Sequence, residues 1–83
     1  MEVTILLFAA HREAVGAGRI ELDLPNPSTV EDAYCSLQRE HAELAPLRRF
    51  TSFAVNREVV EPSTQLAPGD EIAFLQPVSG GAA

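Results

Sequence analysis

The sequence predicts a two-layer α+β domain, with one main helix on a mixed sheet of four to five strands. Three observations predict it. Residues 19–24 (RIELDL) alternate charged and apolar side chains with a period of two. Residues 29–41 place apolar side chains at helical spacing behind a capping signal. Two further β-forming segments, residues 3–10 and 71–76, lie near opposite ends of the chain. One amphipathic helix can cover only one face of the sheet these strands would form.

The first strand, VTILLFAA, divides into an odd set (Val3, Ile5, Leu7) and an even set (Thr4, Leu6, Phe8) that point to opposite sides. Both sets are largely apolar, so the strand is buried on two faces or keeps one for a partner. Residues 11–15 (HREAV) are compatible with a short helix, and Gly16 stops it as a C-cap. The clean alternation of residues 19–24 marks an antiparallel strand with one solvated face, giving a hairpin with a long connection.

Pro25-Asn26-Pro27-Ser28 breaks the chain, and Ser28 or Thr29 caps the main helix. Thr29-Val30-Glu31-Asp32 fits the pattern of a cap followed three residues on by an acid. The expected buried stripe is Val30, Ala33, Tyr34, Leu37 and His41, with Glu31, Asp32, Gln38 and Arg39 pointing away. Tyr34 on this stripe is read as a packing residue. Residues 45–51 are irregular and basic, and Arg48-Arg49 reads as a solvated loop. Short strands follow at residues 52–55 and around Val59-Val60, joined by the Asn56-Arg57 turn. Leu66 anchors a turn-rich passage, and Pro68-Gly69-Asp70 turns into the last strand.

Size and composition bound what such a domain can do. With 83 residues there is room for one domain. A chain of this length buries roughly 60% of its unfolded surface, so the core is thin. A composition of 46% hydrophobic and 22% charged residues argues against disorder. Twelve acidic against six basic residues give a net charge of −6. That balance argues against nucleic acid and anionic membrane as partners. It suits solubility, or attraction to a basic protein. The single cysteine, Cys35, excludes an intrachain disulfide and any multi-cysteine metal site, and fits a reducing cytoplasm. Mid-helix, it is expected to be a buried small hydrophobe. His11 and His41 lack metal-ligand spacing and are read as surface or structural residues. No basic leader or membrane-length apolar run is visible, so a cytoplasmic protein is expected.

The uncovered sheet face would expose Leu6, Phe8, Leu75 and Val59, a patch that reads as a protein interface. Leu75 leads straight into Gln76-Pro77-Val78-Ser79-Gly80-Gly81, where proline ends sheet pairing and two glycines leave a thin backbone. The expected organisation is a domain over 1–77 and a flexible tail over 78–83. The tail alone fits a frayed end or an arm that delivers a carboxylate to another enzyme's active site.

LLFAAHREAVG (residues 6–16), TVEDAYCSL (29–37), and AVNREVV with LAPGDEIAFLQPVSGG (within 54–81) together resemble the small subunit of molybdopterin synthase, the MoaD family. The resemblance implies a β-grasp, ubiquitin-like fold. It also implies that a ubiquitin-activating-type adenylyltransferase uses ATP to adenylate the carboxylate of Gly81, presented by Gly80. Sulfur then replaces AMP to leave a thiocarboxylate, and the large subunit takes that sulfur for cyclic pyranopterin monophosphate. No cofactor is bound by the small subunit itself, and the catalytic residues sit on its partners. By the same resemblance Phe8, Val59 and Leu75 dock the large subunit, Arg12 matches the family pattern, and Pro77 and Val78 belong to the partner-binding segment.

Ala82 and Ala83 depart from the family pattern, which ends at the second glycine. They move the reactive carbon about 7 Å along an extended chain and add a Cβ where glycine is required. A precursor trimmed by a processing protease, an expression artefact, and a homologue without the carrier role all fit. Trimming is expected because Ser79-Gly80-Gly81 is intact. Two other functions share the fold and the diglycine: sulfur carriage for thiamine, cysteine or tRNA thiolation, and ubiquitin-like modification of lysines. A stand-alone enzyme is disfavoured, since no nucleophile–base pair, metal cluster or phosphate loop is legible.

Overall fold

The computed structural model of the chain describes residues 1–76. Strand β1 (Glu2–Leu7) is followed by a short helix α1 (Ala9–Val15), β2 (Arg19–Asp23), the main helix α2 (Val30–Glu40), a 3₁₀ segment (Ala42–Phe50), and strands β3 (Ser52–Val55), β4 (Glu58–Val60) and β5 (Glu71–Leu75). The strands form one mixed sheet in the order β2-β1-β5-β3-β4. At its centre β1 and β5 run parallel, with Ile5 opposite Ile72 and Leu7 opposite Phe74. The other pairs, β1–β2, β3–β5 and β3–β4, are antiparallel. Helix α2 supplies much of the second layer, as the helical stripe predicts, and α1 and the 3₁₀ segment complete it.

Helix α2 begins where its sequence dictates. The Thr29 hydroxyl accepts the Asp32 amide at 3.2 Å, while the Asp32 carboxylate accepts the Thr29 amide at 2.8 Å. Val30, Ala33, Tyr34 and Leu37 are buried against the odd set of β1 and against Ile72 and Phe74. His41, predicted to extend the stripe, is the half-buried C-cap instead. Three aromatic rings form the centre of the core. Tyr34 and Phe74 are 4.9 Å apart, Phe53 and Phe74 5.5 Å, and Tyr34 and Phe53 5.9 Å. The Tyr34 hydroxyl donates to the Leu44 carbonyl at 2.5 Å, so its polar end is satisfied inside the core. Leu66 is buried, as an anchor should be.

Five expectations need correction. The first strand ends at Leu7, not Ala10. Ala9 takes a left-handed φ of 47°, and the Phe8 carbonyl accepts the amides of both His11 and Arg12, which turns the chain into α1. Cys35 is exposed, because it projects from the side of α2 away from the buried stripe. Of residues 45–51, all but the C-cap Thr51 lie in the 3₁₀ segment rather than in irregular chain. Within that segment Arg48 is half-buried rather than solvated. It forms an ion pair with Glu31, and its guanidinium lies 4.9 Å from the Phe53 ring centre. Glu31 therefore faces the 3₁₀ segment instead of pointing away.

Candidate docking face and the root of the C-terminal segment

The registers divide the sheet into two chemically distinct faces. On the helix side lie Val3, Ile5, Leu7, Phe53, Ile72 and Phe74, all buried. On the open side, pairing aligns Leu6 with Ala73, Ala73 with Ala54, and Ala54 with Val59. This apolar row crosses β1, β5, β3 and β4. Leu75 follows Ala73 on the same face, two residues toward the end of β5. Phe8 and Leu75 are the next residues after Leu7 and Phe74, the last parallel pair. Phe8 is 50% exposed and Val59 78% exposed, while Leu6 and Leu75 are half-buried. Cross-strand spacing of about 5 Å makes the row a continuous surface.

The other end of the open face is acidic. Glu2 pairs with Asp23, and Thr4 lies opposite both Glu21 and Glu71. The Thr4 hydroxyl donates to Glu21 at 3.0 Å. The face thus changes from charged to apolar along the strands toward Leu75 and the residues that follow it.

Phe8 and Arg12 are displayed by α1. Phe8 is the N-cap, and the helix ends at Gly16, whose φ of 88° suits a residue without a Cβ and whose amide donates to the Arg12 carbonyl at 2.7 Å. The Arg12 guanidinium lies flat against Gly18; a Cβ at that position would meet it at 3.6 Å. The Gly18 carbonyl in turn accepts the Leu7 amide at 3.0 Å, fastening the α1–β2 connection beside the end of β1. Val59 is held at the sheet edge by the β3–β4 hairpin, whose turn residues Asn56 and Arg57 both have positive φ, at 50° and 74°. Asn56 further donates to Asp70 at 3.0 Å and accepts the Glu71 amide at 3.1 Å, which ties that turn to the start of β5.

The structure therefore places Val59, Leu75 and Phe8 along one open sheet face, while Arg12, on α1, packs against Gly18 beside the end of β1. Pro77, Val78, Gly80 and Gly81 lie outside the described residues, as do Ala82 and Ala83. Among the described residues, no group of three or more His, Cys, Asp or Glu side chains could hold a metal, and no helix is long and apolar enough to cross a membrane.

One residue beside the site carries more than its sequence context suggests. His11, read as surface or structural, is fully buried in α1, with its ring 6.0 Å from Phe74 and 6.4 Å from Tyr34. Its Nε2 is 2.8 Å from the Thr51 hydroxyl, 40 residues away in sequence. Burial lowers its pKa from the ordinary histidine value, and the nearby Phe8 carbonyl offsets part of that shift. The one available signal was its place one turn before Val15 in a short amphipathic segment.

Residues 5–81 match the ThiS family. The chain is 32% identical to the molybdopterin synthase sulfur carrier subunit of Chlamydomonas reinhardtii, over 98% of this chain and 100% of the relative. It is 35% identical to the human molybdopterin synthase sulfur carrier subunit, over 96% and 94% of the two chains. Among solved structures it resembles SAMP1, a small archaeal modifier protein from Haloferax volcanii, with a TM-score of 0.85 at 28% identity, covering 98% of this chain and 100% of that one. These similarities agree with the β-grasp, ubiquitin-like fold expected from the sequence.

Proposed function

The chain belongs to the ThiS family, and from that premise we propose that it is the sulfur carrier subunit of a molybdopterin synthase. The full-length similarity to subunits of that name carries the reading; the family match, which ends at Gly81, agrees with it. The open apolar face docks the large subunit through Phe8, Val59 and Leu75, with Arg12 at its border. Pro77 and Val78 lead from that face to Gly80 and Gly81, which thread the partner's active site.

The chemistry follows from what a carboxylate can and cannot do. A carboxylate is a poor electrophile. A ubiquitin-activating-type adenylyltransferase makes it one by joining the Gly81 carboxylate to AMP from ATP, releasing pyrophosphate. A sulfur nucleophile then attacks the acyl carbon and expels AMP, leaving a thiocarboxylate. Its sulfur remains ionised and nucleophilic near neutral pH and bonds to cyclic pyranopterin monophosphate on the large subunit; water then cleaves the acyl–sulfur bond, leaving sulfur on the pterin and returning the Gly81 carboxylate. Exclusion of water from the narrow channel limits hydrolysis of the activated acyl group. The carrier contributes the arm and the docking face, and its partners contribute the catalytic groups. ATP is a substrate of the activating partner.

Ala82 and Ala83 follow Gly81 in the sequence, so the Gly81 acyl group stays in a peptide bond until that bond is cut. Proteolytic removal of the two alanines is therefore part of the proposal. Intact-mass spectrometry tests it. A version ending at Gly81, incubated with the activating enzyme, ATP and a sulfur donor, should gain the mass of one sulfur in place of one oxygen; the 83-residue chain should gain it only after losing two alanines. Equal thiocarboxylation of the untrimmed chain would rule out the trimming step. An unchanged mass in the Gly81-ended version would rule out the carrier role.

The likeness to SAMP1 favours one second reading, a ubiquitin-like modifier joined to lysines through Gly81. An isopeptide-linked ladder in extracts, lost when the diglycine is deleted, separates it from a dedicated sulfur carrier.

A further inference from the structure

We propose that His11 is a positioning residue for the docking face, holding Phe8 and Arg12 in place only while its imidazole is neutral. The inference rests on the docking role given above, but its structural part stands on the chain alone.

The hydrogen-bond arrangement fixes the proton on the ring. The Thr51 hydroxyl donates its only proton to the Leu47 carbonyl at 2.7 Å. Nε2 therefore carries a hydrogen and donates it to Thr51, and Nδ1 is the bare nitrogen. Nδ1 is buried and has no hydrogen-bond partner. A second proton can add only there, where the buried charged N–H would have one nearby acceptor, the Phe8 carbonyl, which only partly offsets the cost of burial. The Phe8 carbonyl, the nearby backbone acceptor, already receives the His11 and Arg12 amides.

No opposite charge waits to compensate. From α2, His11 faces Tyr34, whose pKa burial raises, so it stays neutral. From β5 it faces Phe74, and from the end of the 3₁₀ segment it faces Thr51. The remaining charges on these elements are committed or remote. Glu31 is bound to Arg48, and Asp32 closes the capping box. Arg39, Glu40, Glu43 and Arg49 are exposed, and Glu71 opposes Thr4 on the open face. On α1 itself, Arg12 and Glu13 are exposed.

The mechanical consequence follows from where the bond lies. The His11–Thr51 link ties α1 to the 3₁₀ segment, and α1 has only seven residues, too few to persist by itself. Ala9, with its φ of 47°, sits between Phe8 and His11 in a conformation that surrounding contacts must hold. If the imidazole takes up a proton and leaves its pocket, the αL junction and the first turn lose their anchor. Phe8 and Arg12 then lose their fixed relation to Leu75 and Val59. Docking should weaken in mild acid, toward about tenfold per pH unit once His11 is titrated.

The test compares the wild-type chain with His11→Gln, whose side-chain amide can still donate to Thr51 but does not titrate. Hydrogen exchange of α1 amides, corrected for intrinsic rates and referred to β5 amides, is followed from pH 7.5 to 5. The wild type should lose α1 protection selectively in acid, and His11→Gln should not. Binding to the purified large subunit is measured over the same range. The expected result, each protein referred to its own affinity at pH 7.5, is a fall in acid that is larger for the wild type and steepens toward about tenfold per pH unit once His11 is titrated. Identical pH profiles of exchange in the two proteins would overturn the proposal, as would identical profiles of binding. If neither protein bound the large subunit at pH 7.5, the carrier reading would fail, and the exchange profiles alone would decide whether His11 holds α1.

Discussion

The two faces of one sheet obey different rules. Strand β5 contributes Ile72 and Phe74 to the helix side, both fully buried, and Ala73 and Leu75 to the open side, both half-buried. Strand β3 places Phe53 in the aromatic cluster and the next residue, Ala54, in the row that ends at Val59. The helix face is explained by folding alone: a thin core needs every large apolar group it can bury. The open face is not. Val59 at 78% exposure and Phe8 at 50% contribute little to stability and would be costly to solubility unless something covers them. Apolar side chains at adjacent positions of one strand can therefore have separate reasons to exist, one thermodynamic and one for recognition.

The strongest way to test that separation is to delete one ring from each face. Phe74→Ala removes the ring that contacts Tyr34, Phe53 and His11 together. It should cost about 3–5 kcal/mol, which would leave a domain of this size largely unfolded. Urea denaturation followed by circular dichroism measures it. A loss below about 1 kcal/mol would mean that the cluster is not the centre of the core.

The reciprocal change is Phe8→Ala or Val59→Ala. Each should leave the unfolding midpoint almost unmoved, with a shift within about 0.5 kcal/mol. Affinity for the large subunit should fall by about tenfold, because a few apolar groups buried at the centre of an interface carry most of its binding energy. Calorimetric titration of the folded variants reads the second effect. If both variants bound normally, the open face would not be the docking surface, whatever the tail does.

Much of the helix side was legible in the sequence. The capping box at Thr29, the stripe through Tyr34 and Leu37, the Gly16 stop and the Asn56-Arg57 turn each declare themselves through local chemistry. The open face was legible by subtraction, since one helix could not cover both sets of residues in the first strand. What escaped were features set by tertiary partners. Phe8-Ala9-Ala10 suits strand and helix alike, and only the Phe8 carbonyl accepting two amides resolves it. Arg48 looks like half of a solvated pair until Glu31 and the Phe53 ring are placed beside it. His11 gives only the slight sign of its spacing to Val15, because its anchor lies 40 residues away. Cys35 is a different case. Its helical angle places it off the buried stripe, and that placement outweighs the usual burial of free cysteine. The diglycine segment, which the proposed function makes central, lies outside the described residues, and that proposal draws on chemistry and family similarity.

The smallest expected effect concerns the seam between α2 and the 3₁₀ segment, where charge rather than apolar area holds the helix layer together. Arg48 donates through Nε to both Glu31 oxygens at 3.0 Å, and also through a terminal nitrogen. Those hydrogen bonds hold the Glu31 pKa below its ordinary value of 4.5. The contribution is therefore present above that value and is lost as pH falls through the lowered folded pKa. Glu31 is 37% exposed, so solvent screening limits it, and Glu31→Gln should cost about 1 kcal/mol or less near neutral pH. His11 acts in a separate window. Its folded pKa lies below the ordinary 6.5, so the unfolded chain takes up that proton first and stability begins to fall as pH drops through 6.5. Denaturation midpoints against pH should therefore descend in two stages. His11→Gln should remove the upper stage and Glu31→Gln should flatten the lower one. A single descent untouched by either substitution would mean that neither group links folding to protonation, and that the helix layer is held to the sheet by apolar packing alone.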